Sequence, residues 1–241
     1  MTRLDELKTR LDELRPVKGA ALDQLQSHFD VELTYTSNAI EGNTLTRQET
    51  AELIEHGFTV GGKTLRDHLE AVDHYDALQW MREQAARTAP LGENTVTELH
   101  RRIVLRSQPA IAGFYSNLPR RIVGSQFVLP SPAKLPFLMD QFGTWLSSAT
   151  GAAASFEAHR RLVAIHPFAD GNGRTARLLM NLMLLRDGYP PVAVRPEDRP
   201  AYISALERAH MTGDDQPFQQ LMHNRLEATL DEYVALLEEA L

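Results

Sequence analysis

The chain has 241 residues, enough to bury a sizeable core as one large domain. Its composition, 43% hydrophobic and 24% charged, is that of an ordinary soluble globular protein, and the lack of cysteine excludes disulfides, a thiolate zinc site and a cysteine nucleophile. A formal charge of −7 argues against a surface built for phosphate backbones, so no DNA partner is expected.

At the start, Leu4, Leu7, Leu11 and Leu14 recur at helical spacing among charged residues until Pro16 ends the pattern. This charged, periodic start is not a secretory signal, and no later stretch is apolar enough to span a bilayer, so the expected location is cytoplasmic with no membrane partner. A second helix is predicted from about Ala20 towards Glu41, stopped by Gly42-Asn43 in the left-handed manner. Thr46 and Glu49 form a capping box that opens a helix ending near His56-Gly57. Beyond Gly61-Gly62, helical patterns run from about Thr64 to Arg87 and from Thr95 to Arg106, the latter with Asn94 as its cap.

From Arg120 to Leu129, two short β-prone runs flank Gly124-Ser125 between Pro119 and Pro130, which predicts one exposed hairpin. After Pro132 the helical pattern returns through Trp145, then from about Ala152 to Ile165, from Arg174 to Arg186, and around Tyr202 and Leu226. The fold class is therefore all-α, a helical bundle with one short β-hairpin, and without repeats or linkers it reads as one compact unit.

The segment His166-Pro167-Phe168-Ala169-Asp170-Gly171-Asn172-Gly173-Arg174-Thr175-Ala176-Arg177 carries the chemistry. Gly171 and Gly173 let the backbone turn its N–H groups inward, and the helix that follows adds a positive dipole end, which together make an anion cradle. Arg174 and Arg177 are three apart and can reach one polyphosphate. Asp170 can supply one hard oxygen to Mg²⁺, and His166 titrates near neutrality, as a base that deprotonates an attacking hydroxyl must. Singly, these residues read as a turn, a solvated helix face and a helix cap; it is their combination within twelve positions that a structural loop does not need. A histidine-aspartate metal hydrolase recruiting His159, two helical turns upstream, is the chemical competitor.

This loop resembles the signature of the Fic family, His-Pro-Phe-x-(Asp/Glu)-Gly-Asn-Gly-Arg-x-x-Arg, with every fixed position filled. The resemblance continues through Leu178-Leu179-Met180-Asn181 and Gly188-Tyr189-Pro190-Pro191 and reaches upstream to Ala158-His159. It implies a catalytic core over 95–241, preceded by a helical region over 1–94, and a bundle whose hairpin is a flap that docks the target protein around Ile122-Phe127 by strand pairing. The activity it implies is a protein adenylyltransferase that moves AMP from ATP, with Mg²⁺ or Mn²⁺, to a Ser, Thr or Tyr hydroxyl. In that reading His166 is the base, Asp170 holds the metal, Gly171, Asn172 and Gly173 form the anion hole, and Arg174 and Arg177 hold the ATP phosphates. Tyr202 and His210 fall near the family's adenine pocket, His210 standing where asparagine is usual.

A second stretch, Ser37-Asn38-Ala39-Ile40-Glu41-Gly42-Asn43, resembles the family's inhibitory motif (Ser/Thr)-x-x-x-Glu-(Gly/Asn) in the class II position ahead of the core. The resemblance makes Ser37, Glu41 and Gly42 an inhibitory element in which Glu41 pairs with Arg177 and denies the γ-phosphate its productive pose. Departures occur at Gly113-Phe114-Tyr115-Ser116, which lacks the family's arginine before the flap, and at Leu129-Pro130-Ser131-Pro132, which lacks its double proline. The alternatives to AMP transfer are removal of AMP with Glu41 orienting water, and a nucleotide-sensing regulatory module. Self-association is a further partner reading, as a means of controlling the inhibitory helix.

Overall fold

The structure, a computed structural model, describes residues 2–16, 20–122 and 125–240. Among these, helix α1 spans Arg3–Glu13, α2 Ala20–Ile40, α3 Arg47–His56, α4 Leu65–Ala85 and α5 Glu93–Ile103. Then follow α6 Leu135–Leu146, α7 Ala152–Ile165, α8 Asn172–Arg186, α9 Arg199–Thr212 and α10 Gln216–Ala240. The Thr46–Glu49 capping box opens α3 with both reciprocal bonds formed, and Gly57 closes it in the left-handed region. Gly42 stops α2 with φ 96°, a conformation that favours glycine.

Helix α8 is the axle of the bundle. Its apolar residues lie on every side, Leu178, Leu179, Met180, Leu182, Met183 and Leu184 all being buried, so it can exist only with helices around it. Helices α7, α4, α5 and α2 supply that surround. The leucine stripe of α1 lies along α10, where Leu11 is fully buried and the rim is tied by Arg3–Asp231 at 2.6 Å and Arg10–Glu238 at 2.8 Å. One apolar cluster runs from Leu11 to Leu237, so residues 1–94 share the core of the rest.

Two expectations need correction. The chain over 120–122 and 125–129 forms no strand; Val123 and Gly124, the latter half of the expected Gly124-Ser125 turn, lie outside the described residues. The polar groups past the turn bind a helix instead of an opposing strand: Gln126 N–H donates to Glu207 Oε1 at 2.9 Å, and the Ser125 hydroxyl donates to the same carboxylate. The isolated bridge among the described residues lies elsewhere, between Tyr115 and Phe168. Asn94 does not cap α5. Gly92 holds the cap position, its N–H donating to the Thr95 hydroxyl at 3.3 Å, and Asn94 sits inside the first turn.

Candidate active site

Helix α7 runs into the loop through His166, whose φ of 50° makes it the only non-glycine in the left-handed region among the described residues. That conformation costs about 1–2 kcal/mol and needs support from its surroundings. The support is the Asn172 side chain, which accepts from Phe168 N–H and donates to Phe168 C=O, both at 2.9 Å. Phe168 is itself buried and stacked on His100, centroids 3.6 Å apart and planes parallel to 1°.

His100 closes the clamp. Gly113 N–H donates to its Nδ1 at 3.0 Å, which assigns the proton to Nε2, and Nε2 donates to Asp170 C=O at 3.1 Å. Burial pushes the His100 pKa down to about 4, against the pull of the Asp170 carbonyl, so the ring stays neutral and can accept at Nδ1. On the other flank Ser116 N–H donates to Pro167 C=O at 2.8 Å. Asn172 thus staples the loop with its side chain, and what it offers the cradle is its backbone N–H. With Gly173 and Arg174 it opens α8, where the first N–H groups have no partner within the helix.

Glu41, just beyond the end of α2, lies over that open end. A Cβ on Gly173 would stand 2.3 Å from Glu41 Oε1, so the carboxylate occupies space that any other residue at 173 would fill. The same oxygen accepts from Arg177 Nη2 at 2.7 Å. Arg177, only 4% exposed, also donates to Ser37 Oγ at 3.0 Å, to Ser37 C=O at 2.9 Å and to the Tyr202 hydroxyl at 3.4 Å. Burial alone would lower the Arg177 pKa, but the charges and bonds of Glu41 and Tyr202 raise it above the ordinary value. The end of α2 is held on both sides, Arg199 donating to Ile40 C=O at 2.8 Å and Asn43 donating to Glu70 at 3.1 Å.

Arg174 is bound less fully. It is 1% exposed, yet its ion pairs with Glu70 and Asp170 are both 3.7 Å long, its bond to Asn38 is 3.5 Å, and its Nε has no partner among the described residues. A buried cation with slack donors gains much from an incoming anion. Asp170 accepts from Gln108 at 2.5 Å, Arg66 at 3.1 Å and Gly171 N–H at 2.6 Å. Burial raises its pKa, but the Gln108 bond, the Arg174 charge and the other donors outweigh this and leave it lowered. His166 Nδ1 lies 3.3 Å from Val163 C=O and so carries the proton there, leaving Nε2 as the acceptor. Burial lowers the His166 pKa, opposed by the Val163 bond and the Glu41 charge, so the ring is neutral at neutral pH.

Arg66, Glu70, Gln108 and His100 touch this site although no motif pointed to them, and Asn38 does so from a variable position of the inhibitory stretch. Tyr202 lies beneath Arg177, buried, its hydroxyl engaged with Arg177 and, at 2.8 Å, with His159 Nε2. His210 packs its ring 4.9 Å from that of Phe127. His159 is thus in the core beside Tyr202, and no group of three or more His, Asp or Glu among the described residues could hold a metal, so the hydrolase centre is not assembled. A Mg²⁺ ion held chiefly by substrate phosphates asks for less, and the partly exposed Asp170 carboxylate beside two arginines fits that donor set.

The Fic/DOC family profile matches residues 90–184, from the approach to α5 to the last turns of α8. A variant of Fic-1 from C. elegans is 30% identical and superimposes with a TM-score of 0.84, over 97% of this chain and 71% of that one. The chain belongs to the Fic/DOC family. A Fic-domain-containing signaling protein from Bacteroides thetaiotaomicron superimposes on this Fic protein with a TM-score of 0.91 at 29% identity, covering 99% and 97% of the two chains. The protein adenylyltransferase Fic of Nematostella vectensis is 35% identical over 98% of the chain, which spans 56% of that relative. The chain therefore covers about half the length of the curated relatives it matches. No helix among its described residues is long and apolar enough to cross a membrane.

Proposed function

We propose that this Fic protein is an autoinhibited protein adenylyltransferase, transferring AMP from ATP to a Ser, Thr or Tyr hydroxyl of a target protein. The observation that carries this is the Glu41 carboxylate, seated on Gly173 and paired with Arg177 at 2.7 Å. An anion thus sits beside Arg177 and the first residues of α8, as a phosphate would in this reading. Arg174 and Arg177 hold the triphosphate and fix the α-phosphorus in line. His166 Nε2 takes the proton of the attacking hydroxyl as the new P–O bond forms and pyrophosphate departs. Asp170 would hold Mg²⁺ or Mn²⁺, which would supply positive charge against that of the triphosphate.

While Glu41 is in place, the phosphate end cannot seat, since the carboxylate takes the donors and repels the ligand. The exposed side chains of Phe114, Leu118 and Val128 support docking of the target along this edge. Wild type, Glu41→Gly and Glu41→Gly/His166→Ala are to be compared for AMP incorporation from α-labelled ATP. Label with Glu41→Gly alone is the expected result; no label with Glu41→Gly, on itself or on a lysate, sinks the transferase reading.

Removal of AMP is the second reading, favoured by Glu41 being 41% exposed at its side chain and electrostatically coupled to His166. A water between the two would be oriented by Glu41 for attack on the phosphodiester. Protein labelled by Glu41→Gly and then given wild type should lose its AMP; retention of the label removes this reading and leaves Glu41 a brake alone.

A further inference from the structure

Arg177 has three hydrogen-bonding partner residues among the described residues, and two of them, Ser37 and Glu41, belong to the inhibitory segment. Only Tyr202 lies outside it. If the segment withdraws to admit a triphosphate, Arg177 loses Glu41 by necessity and Ser37 with any shift of α2. Something else must then keep a buried, flexible guanidinium aimed at the α8 N-terminus.

The chemistry of the contact is directional. A guanidinium only donates, so the Tyr202 oxygen is the acceptor towards Arg177, and its own O–H is free to donate to His159 Nε2 at 2.8 Å. His159 is therefore the Nδ1–H tautomer, and its Nδ1 has no partner. Burial, seconded by the Arg177 charge, lowers the His159 pKa well below its ordinary value, so Nε2 keeps its lone pair. Packing holds the pair in register: His159 stacks on Phe218 at 5.2 Å and meets Tyr202 edge-on at 5.6 Å, and all three rings are buried. Polarising the phenol through the first bond strengthens its oxygen as an acceptor for the second.

We propose that Tyr202 and His159 are positioning residues for Arg177, a core-side relay that keeps its guanidinium in place once Glu41 has released it. The proposal rests on the transferase reading, and it assigns Tyr202 to the phosphate end of the nucleotide instead of the base.

The test is nucleotide binding by calorimetry in the Glu41→Gly background, using the β,γ-imido analogue of ATP and, separately, AMP, with thermal unfolding to confirm folding. Adding Tyr202→Phe, which keeps the ring, should weaken the triphosphate analogue about tenfold, the scale of a hydrogen bond to a charged group, and leave AMP within about twofold. His159→Phe should weaken the analogue by a smaller factor, His159→Gln should restore it through its amide oxygen, and His159→Phe/Tyr202→Phe should be no worse than Tyr202→Phe alone. That non-additivity marks action through Tyr202 and is not what a general loss of packing produces. Equal losses for AMP and the analogue, additive losses, or an unchanged analogue affinity in Tyr202→Phe overturn the relay. A Glu41→Gly protein that binds neither nucleotide overturns the transferase reading and the relay with it.

Discussion

The loop 166–177 and the edge 114–129 lie on the same side of the chemistry and are built on opposite terms. In the loop, Phe168 and Asn172 are buried and every bend has a named bond behind it. Along the edge, Phe114, Leu118 and Val128 are more than half exposed, and the residues past the turn hang on one helix carboxylate, Glu207. The difference teaches where precision is needed. In the proposed function, phosphoryl chemistry tolerates little misplacement and its residues are locked in advance, whereas a surface that would accept another protein can keep its bonds few.

That contrast can be broken at several points. The largest effect is expected at the base: His166→Ala in the Glu41→Gly background should lower the AMP-transfer rate on the order of 10²–10⁴-fold while thermal stability changes little, because alanine keeps the Cβ and leaves the left-handed backbone at 166 as it is. Asn172→Ala tests the staple. It strands the buried N–H and C=O of Phe168, which should cost about 2–4 kcal/mol in urea unfolding. A loss below about 0.5 kcal/mol would mean the loop is not held as described.

Acidification is the next lever. The pKa values of His74 and His100 are pushed by burial to about 3 and about 4, from 6.5. Both are neutral in the folded and unfolded chain above pH 6.5. As pH falls through 6.5 the unfolded chain takes up protons that the folded one refuses, so stability is lost down to about pH 4, by about 1 kcal/mol per pH unit for each histidine. Replacing His100 by a non-titrating residue should flatten that slope in a denaturation series; an unchanged slope would place the protonation elsewhere.

Arg66→Ala removes an exposed pair with Asp170, so it should change stability by no more than about 1 kcal/mol. With one competitor for Asp170 gone, Mn²⁺ binding followed by electron paramagnetic resonance should tighten. Val128→Ser on the open edge should leave stability within about 0.5 kcal/mol and raise the KM for a protein target alone. A kcat loss there would show the edge to be part of the rigid machinery after all.

Local rules were legible from the chain itself. The Thr46–Glu49 box, the Gly42 stop and the leucine stripe of α1 are short-range signals, and each appears where the spacing puts it. The loop was legible because its residues are contiguous. What escaped was long-range: His100, Arg66, Glu70 and Gln108 reach the site from α4, α5 and the turn after α5, and in the sequence they are ordinary polar positions of helices and a turn. The Asn172 side-chain staple was also not legible, because a loop that turns back on itself offers its own backbone as the nearer partner. The described residues of the β-prone run at 120–129 form no strand, because propensity without a paired neighbour does not make one. Tyr202 was placed near the nucleotide by resemblance alone, and its bonds to Arg177 and His159 come from the packing of α9, which the sequence does not show.

Gly173 has a consequence for how such a protein can change over generations. The missing side chain there admits the Glu41 oxygen and, in the proposed function, the phosphate that would replace it. Any heavier residue would evict the inhibitor and obstruct the nucleotide at one stroke. A lineage seeking constant activity is therefore barred from that position and must find its escape at Glu41, where the restraint can be lost without damage to the seat it leaves.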